Sequence, residues 1–463
     1  MTRKLLPLLA LIFAGCNPTP EGAGQTALLI RNVHVVDVEK GTVLRDQQLV
    51  VDSGRIRQIA SQTEHPERYL TVIDGKGAYA VPGLTEMHAH IPSPPVSETR
   101  IAETLYLYLA RGVTTIRGML GHPYHLRLRE QAEKGEIPSP RIFTSSPSLN
   151  GNTVRTPGEA VEKVRQYARE GYDFLKIHPG IQRDVFDSLA AAAREAGIPF
   201  AGHVPVDVGI RHALESGYAT IDHVDGYLEG LVPESAGVRP QDNGFFGFRF
   251  TALADTARIP ELMALTRKHK VWVVPTQSLF ERWFAPTSAD SLLAQPEMKY
   301  MPGATLASWR QVKTQYMEDP SWDPGQWQTF DAIRLELIRR LAKEGHGLLL
   351  GSDAPQLFNV PGFSLKHEIA GMRRAGLSPL EILRMGTLYP ARFFGQESEW
   401  GSLEEGKVAD LVLVEGNPLE DLSALEAIRG VMLKGHWIPL DEIDQKLTEI
   451  ARNAAAEDPS GQD

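Results

Sequence analysis

The sequence predicts an α/β protein: a (β/α)8 TIM-type barrel with a small composite β-sandwich domain formed by its N- and C-terminal segments. Three observations carry that expectation. Through the middle of the chain, short apolar runs alternate with amphipathic stretches, which argues for repeated βα units and a parallel sheet. Segments rich in β-formers stand at both ends, 27–82 and 400–439, where they can pair with each other. Eight of the central apolar runs are strand candidates, and eight βα units close a barrel.

The first residues stand outside that fold. Arg3 and Lys4 precede an apolar run from Leu5 to Ala14, which ends in Phe13-Ala14-Gly15-Cys16. The run is too short to span a membrane, and small residues before a cysteine suit a signal peptidase followed by lipid attachment. Residues 1–16 therefore resemble a bacterial lipoprotein signal peptide with its lipobox, with Phe13 where that motif usually has leucine. An ordinary secretory signal cut nearby is the alternative. The expectation is an exported protein held to a bacterial membrane by lipid on Cys16, facing the periplasm or the cell surface. Asn17 is compatible with outer-membrane sorting. Residues 17–26, rich in Pro, Gly and Thr, have the composition of a flexible tether.

Cys16 is the only cysteine, so the chain has no intrachain disulfide and no zinc finger, and once lipidated Cys16 is no nucleophile. The net charge is −10, and removal of Arg3 and Lys4 with the signal makes the mature chain more acidic. A nucleic-acid partner is excluded on that ground.

From Ala27 the β-runs are Leu28–Ile30, Val33–Val36, Gln48–Val51 and Thr71–Asp74, with a turn at Gly54; they return in Ala409–Val414 and Ile428–Gly435. Between them, within 83–399, barrel strands are expected near Leu84–His90, Val113–Arg117, Arg141–Ser145, Phe174–His178, Pro199–His203, Ala219–His223, Val271–Pro275 and Gly347–Asp353. Helices fit over Gly158–Gly171, Val185–Gly197, Gly209–Gly217 and Ile259–Lys270. Two long connections interrupt the repeat, Asp225–Arg258 and Thr276–Gly345. Long loops after barrel strands serve as lids or substrate walls. Residues 440–463 read as a C-terminal helix and tail, fraying from Ala451.

The chemistry starts at His88-Ala89-His90. Two imidazoles on alternate residues of a strand point to one side, which suits a metal ion. Further strand ends carry Lys176, His203, His223 and Asp353, so five strands bring polar groups to one mouth. Imidazoles, a lysine and a carboxylate at that end are what a hydrolytic metal centre needs. A cationic lysine inside a barrel among imidazoles is costly. The cost falls if the amine has taken up carbon dioxide, because the carbamate is an anion that can bridge two ions; a lysine paired with an acid at the rim is the alternative.

Together, Pro82-Gly83-Leu84-Thr85-Glu86-Met87-His88-Ala89-His90, Phe174-Leu175-Lys176-Ile177, Gly202-His203, Asp222-His223, Leu350-Gly351-Ser352-Asp353 and the stretch Gly401–Val412 resemble the metal-dependent amidohydrolase superfamily. The likeness is to its binuclear branch of prolidase-like and imidazolonepropionase-like proteins. It implies two divalent metal ions. His88, His90 and Asp353 would hold the more buried one, His203 and His223 the second, and carbamylated Lys176 would bridge them. It also implies a metal-bridging hydroxide, with Asp353 as general acid/base. Zinc is the default metal for such nitrogen and oxygen ligands, and manganese, cobalt and iron also suit them. The residual positive charge of that centre would welcome a small-molecule substrate carrying a carboxylate.

Asp222 falls on the face opposite His223 by alternation, which makes it a structural acid. Tyr227 either hydrogen-bonds the substrate carbonyl as a catalytic residue or packs on the rim. His178 and His122 lie on expected loops above the mouth, where they touch substrate or are ordinary loop histidines. Arg117 precedes Gly118 where the superfamily commonly has an acid, which removes the expected ion-pair partner. The segment Tyr389–Gly395 reads as a packed helix. The aromatic residues of the long connections read as hydrophobic filling, with Phe245, Phe246 and Trp283 the first to test.

The expected function is metal-dependent hydrolysis of an amide bond in a dipeptide or N-acyl amino acid. A cyclic amide or lactone hydrolase is the alternative enzyme, and a deaminase ranks lower because a single-metal site would not need Lys176. A catalytically inactive surface binding protein is the alternative of another class.

Overall fold

A computed structural model of the chain describes residues 27–62, 69–320 and 322–457. The signal peptide, Cys16, the tether and the last six residues of the tail lie outside the described residues. No helix among the described residues is long and apolar enough to cross a membrane.

The chain opens with β1 (Leu28–Asp37), β2 (Thr42–Asp52), β3 (Arg55–Ala60) and β4 (Thr71–Pro82). At Pro82-Gly83 the chain passes directly from β4 into the first barrel strand. A side chain at Gly83 would place its Cβ 2.1 Å from Thr114 Oγ1, so this crossing has room only for glycine.

Seven parallel strands follow in ring order: β5 (Leu84–Ala89), β6 (Val113–Gly118), β7 (Arg141–Leu149), β8 (Phe174–Ile177), β9 (Phe200–Gly202), β10 (Thr220–Asp222) and β11 (Trp272–Val274). The eighth expected strand is a stretch of isolated bridges that closes the ring. On one side Leu349 donates to Val273; on the other Met87 donates to Leu350, Asp353 to His88 and His90 to Ala354. Its ladder is interrupted because Leu350 donates instead to Met385 and Asp353 takes a left-handed backbone, φ 64°. Barrel strands are buried on both faces, which explains their near-continuous apolar sequences.

The C-terminal segment adds β12 (Leu411–Val414), β13 (Ile428–Leu433) and β14 (His436–Pro439). They join the N-terminal strands in one seven-stranded sheet of order β14-β13-β12-β4-β1-β2-β3. The sandwich-like closure comes from curling: Ile56 donates to Lys407 and Ala409 to Gly54, so the β2–β3 hairpin returns onto the segment before β12. Ile30, Val35, Leu49, Ala80, Leu411 and Met432 fill the space inside.

The four expected helices form at Pro157–Glu170, Arg183–Ala196, Ile210–Glu215 and Ile259–Lys268. The first begins in a capping box between Thr156 and Glu159 and stops at Gly171, φ 83°. Leu388–Phe393 forms the packed helix expected over Tyr389–Gly395.

Two expectations need correction. Thr276–Gly345 is a helical insertion, with helices at Gln277–Phe284, Ala289–Leu293, Gly303–Glu318 and Pro324–Glu344. In the last of these, Trp327, Phe330, Leu337, Ile338 and Leu341 are buried at helical spacing. The C-terminal helix runs Leu440–Ala456 without fraying at Ala451, because Ile443, Leu447, Ile450 and Ala454 bury one face and Asn453 donates to Glu103 at 2.6 Å.

Candidate metal centre

Alternation along β5 and into the residue that follows it sends Glu86, His88 and His90 to the same side. Glu86 is fully buried and accepts from Ser352 N at 2.7 Å, Ser352 Oγ at 2.6 Å and His88 N at 3.1 Å, so it ties β5 to the turn that carries Asp353. Burial pushes its carboxyl up to about 8, against those donors. His90 Nε2 lies 2.6 Å and His88 Nε2 3.5 Å from Asp353 Oδ1. The left-handed backbone at Asp353 turns its carboxylate into the barrel. The three ligand atoms of His88, His90 and Asp353 lie within 4.8 Å of one another.

Lys176 stands on β8 and is fully buried. Space for its stem comes from Gly202, φ 126°, where a Cβ would meet Lys176 Cδ at 3.1 Å and Ile177 O at 2.4 Å. Its Nζ is 3.9 Å from Asp222 Oδ2 and has no hydrogen-bond partner. Burial pushes the ammonium down to about 8, against the pull of Asp222 and Asp353.

His203 follows β9, with Nδ1 3.1 Å from Asp225 Oδ2. His223 follows β10 with φ 66°; its Nδ1 meets Thr276 Oγ1 at 2.8 Å and its carbonyl accepts from Arg334 Nη1 at 2.7 Å. The His223 ring centroid lies 4.5 Å from that of His88 and 4.6 Å from that of His203. The six residues expected as metal ligands therefore converge, and all line one cavity of about 380 Å³ at the C-terminal mouth of the barrel.

Asp222 corrects the alternation argument. It points into the barrel, pairing with Arg117 Nη2 at 3.0 Å and lying 3.2 Å from His88 Nδ1. Both Asp222 and His223 reach the interior because the strand ends at Asp222 and the next two residues, His223 and Val224, are left-handed. Arg117 thus has its ion pair, on β10 instead of at the neighbouring residue; it also donates to Met87 O at 2.7 Å and to Thr220 Oγ1 at 3.0 Å.

Buried polar atoms are normally satisfied. Here Lys176 Nζ, Asp353 Oδ1, Asp222 Oδ2 and His88 Nδ1 are buried without an aligned hydrogen bond. Burial holds His88 and His223 well below the usual imidazole value, as neutral rings with lone pairs to give. Burial alone would raise Asp353, but the side-chain hydrogen bond with His90 and the charge of Lys176 pull it down and keep the carboxyl ionised. Neutral imidazoles and an ionised carboxylate with unmet valences fit divalent cations.

Of the other candidates, His178 lines the cavity, with Nδ1 2.7 Å from Ser148 Oγ, and burial pushes it down to about 2. Tyr227 does not reach the site, which corrects its catalytic assignment. The turn at Gly226 (φ 77°) starts a short helix that buries the ring, and its hydroxyl meets Thr266 Oγ1 at 2.7 Å. His122 caps the helix Pro123–Glu133 by accepting from Tyr124 N. Phe245, Phe246 and Trp283 line the cavity. Sequence reasoning missed Glu86, Asp225, Thr276 and Arg334. Arg334 had a signal: it interrupts the apolar stripe of its helix between Phe330 and Leu337.

The sequence profile of the amidohydrolase family matches residues 79–438. An ochratoxinase from Aspergillus niger is 22% identical over 443 residues, spanning 84% of this chain and 82% of that protein. An adenine deaminase from Rubrobacter xylanophilus is 23% identical over 436 residues, spanning 89% of this chain and 58% of that protein. The solved structure of a bottromycin amidohydrolase shares the fold with a TM-score of 0.69 at 22% identity, covering 94% of this chain and 92% of that one.

Proposed function

This chain belongs to the amidohydrolase family, hydrolases of carbon–nitrogen bonds that bind divalent metals, and we propose that it cleaves the amide of a dipeptide or N-acyl amino acid. The observation that carries this reading is the convergence of His88, His90, Lys176, His203, His223 and Asp353 on one cavity. His88, His90 and Asp353 would hold one divalent ion, His203 and His223 a second, and Lys176 would lie between them. Zinc suits those donors. When bound, two such ions supply Lewis acidity and an acidified water.

The residues of the chain supply the rest. Asp353 faces the cavity as an ionised carboxylate. It takes one proton as water adds to the carbonyl carbon and returns it to the nitrogen as the C–N bond breaks; the acid formed passes its remaining proton to the amine, leaving a carboxylate and an ammonium. His178 offers the substrate a neutral ring at the mouth. Lys176 is proposed to be carbamylated: its ammonium gives up one proton, the neutral amine adds to carbon dioxide so that an N–C bond forms as a C=O π bond opens, a second proton leaves, and the buried cation becomes an anion. The protein is further proposed to be exported and held to a bacterial membrane by lipid on Cys16.

The test is a panel of dipeptides and N-acyl amino acids, with cyclic amides and lactones alongside. Metal-dependent release of amine from the open-chain amides supports the reading. Turnover confined to ring substrates favours the cyclic amide or lactone alternative, and full metal occupancy without turnover of any amide, ester or lactone favours a binding protein.

A further inference from the structure

Phe246 adopts φ 52°, ψ 39°, a left-handed conformation that a side chain with a Cβ rarely takes. It sits between Gly244 (φ 71°) and Gly247 (φ 76°), in a turn pinned from behind by Asn243 Nδ2 donating to Glu229 Oε1 at 2.7 Å. A Cβ at Gly247 would lie 2.9 Å from Glu229 Oε2, so the turn packs directly on that carboxyl group. The strained backbone aims the Phe246 ring at the centre: its centroid lies 5.5 Å from His223 and 5.8 Å from His203. Phe280 supports it edge-on at 4.9 Å. Phe245 extends the surface, 5.0 Å from Phe246 and 4.5 Å from Trp283, which comes from the other insertion.

Hydrophobic filling does not account for this wall. A filler would be buried and would need no strained backbone, whereas Phe245 is 50% exposed and all three rings line the cavity. Backbone strain that persists beside a site is a pointer to function. The charges on the wall point the same way. Beyond the ligand set, the polar lining residues are His178, Asp225, Asn243 and Gln356; Lys176 is the one lysine or arginine among the lining residues, and it is buried between the ligands. Among the described residues no guanidinium or free ammonium lines the wall, so the choice between one side chain and another falls to the apolar faces.

We propose that the substrate carries an aromatic ring next to the scissile amide and that Phe246 and Trp283, with Phe245, form the subsite for that ring. The substrate class narrows to aromatic N-acyl amino acids and dipeptides with an aromatic side chain, an inference that rests on the amide-hydrolase reading above. A ring stacks offset or edge-on against such faces, and a cavity of about 380 Å³ holds a small molecule of this kind.

The experiment compares kcat/KM for matched pairs, N-benzoylglycine against N-acetylglycine and N-acetylphenylalanine against N-acetylalanine. The expected aromatic preference is at least about tenfold in one pair. Phe246→Ala and Trp283→Ala should bring that ratio towards one while metal content stays at the wild-type level, and Phe246→Leu, which keeps bulk without a ring, should fall between. Equal kcat/KM for aromatic and aliphatic amides overturns the ring subsite and leaves the amide-hydrolase reading standing. If no amide is cleaved, fluorescence titration decides separately. Saturable quenching by the intact N-benzoyl compound, lost in Trp283→Phe and not given by the N-acetyl compound, upholds the subsite while the hydrolase reading fails; no such quenching overturns the subsite.

Discussion

Arg334 Nη1 donates to the backbone carbonyl of His223 at 2.7 Å, so a helix of the insertion holds a candidate ligand on the barrel. The same guanidinium donates to Pro275 O at 3.1 Å and to Gln277 Oε1 at 3.0 Å, and stacks 3.4 Å from the Phe280 ring centroid. It thereby fixes Thr276, whose hydroxyl orients His223. Arg334→Met leaves buried carbonyls unpaired, and outer-sphere losses of this kind weaken metal binding by about 10–100-fold. The expected result is selective loss of one of the two ions on titration with a chelator. Arg334→Lys, unable to reproduce the fork, should fall between. Two ions held at wild-type affinity in Arg334→Met would remove the positioning role.

Tyr227 tests the correction made by the fold. Its hydroxyl bonds Thr266 in the core, so Tyr227→Phe should cost about 1 kcal/mol of stability and leave kcat/KM unchanged. A fall in kcat/KM of about 100-fold with full metal content would put the hydroxyl on the substrate after all.

Acid sensitivity should track Glu297. Burial pushes its carboxyl up, but His367 at 2.7 Å and Lys366 at 3.3 Å help to pull it down to about 2. Its folded value lies below the ordinary 4.5, so it stabilises above that pH and the contribution is lost as pH falls towards 2. His367, pushed below 6.5 by burial, adds loss in the same direction as pH drops under its ordinary value. Thermal unfolding of Glu297→Gln should therefore decline less steeply than wild type from pH 4.5 downwards. Parallel curves would contradict a stabilising contribution from ionised Glu297 beside His367 and Lys366.

The sequence exposed what periodicity and residue chemistry control. His88 stands on β5 and His90 directly after it, and Lys176 and His203 stand at or just past strand ends, so their convergence was legible. Alternation failed at Asp222 and His223 because φ turns positive where the strand stops, a local choice that no hydrophobic pattern encodes. Tyr227 was misplaced for a related reason: Gly226 reverses the chain and sends the ring inward. The insertion Thr276–Gly345 read as a loop because its helices bury large aromatics and Arg334 in place of a simple aliphatic stripe. Arg117 found Asp222 across the barrel, a partner 105 residues away.

Cys16 carries the proposal about location. Cys16→Ser should move the protein out of the membrane fraction on separation of cell extracts, with the fold and metal content unchanged. A variant that stays with the membrane would rule out a lipid anchor at that residue.

Lys176 lies between the two proposed ions, and metal counting on purified protein tests that placement most directly. Wild type should hold about two divalent ions per chain, and Lys176→Ala should lose metal and amide hydrolysis together while remaining folded. One ion per wild-type chain, with Lys176→Ala still active, would contradict the binuclear centre.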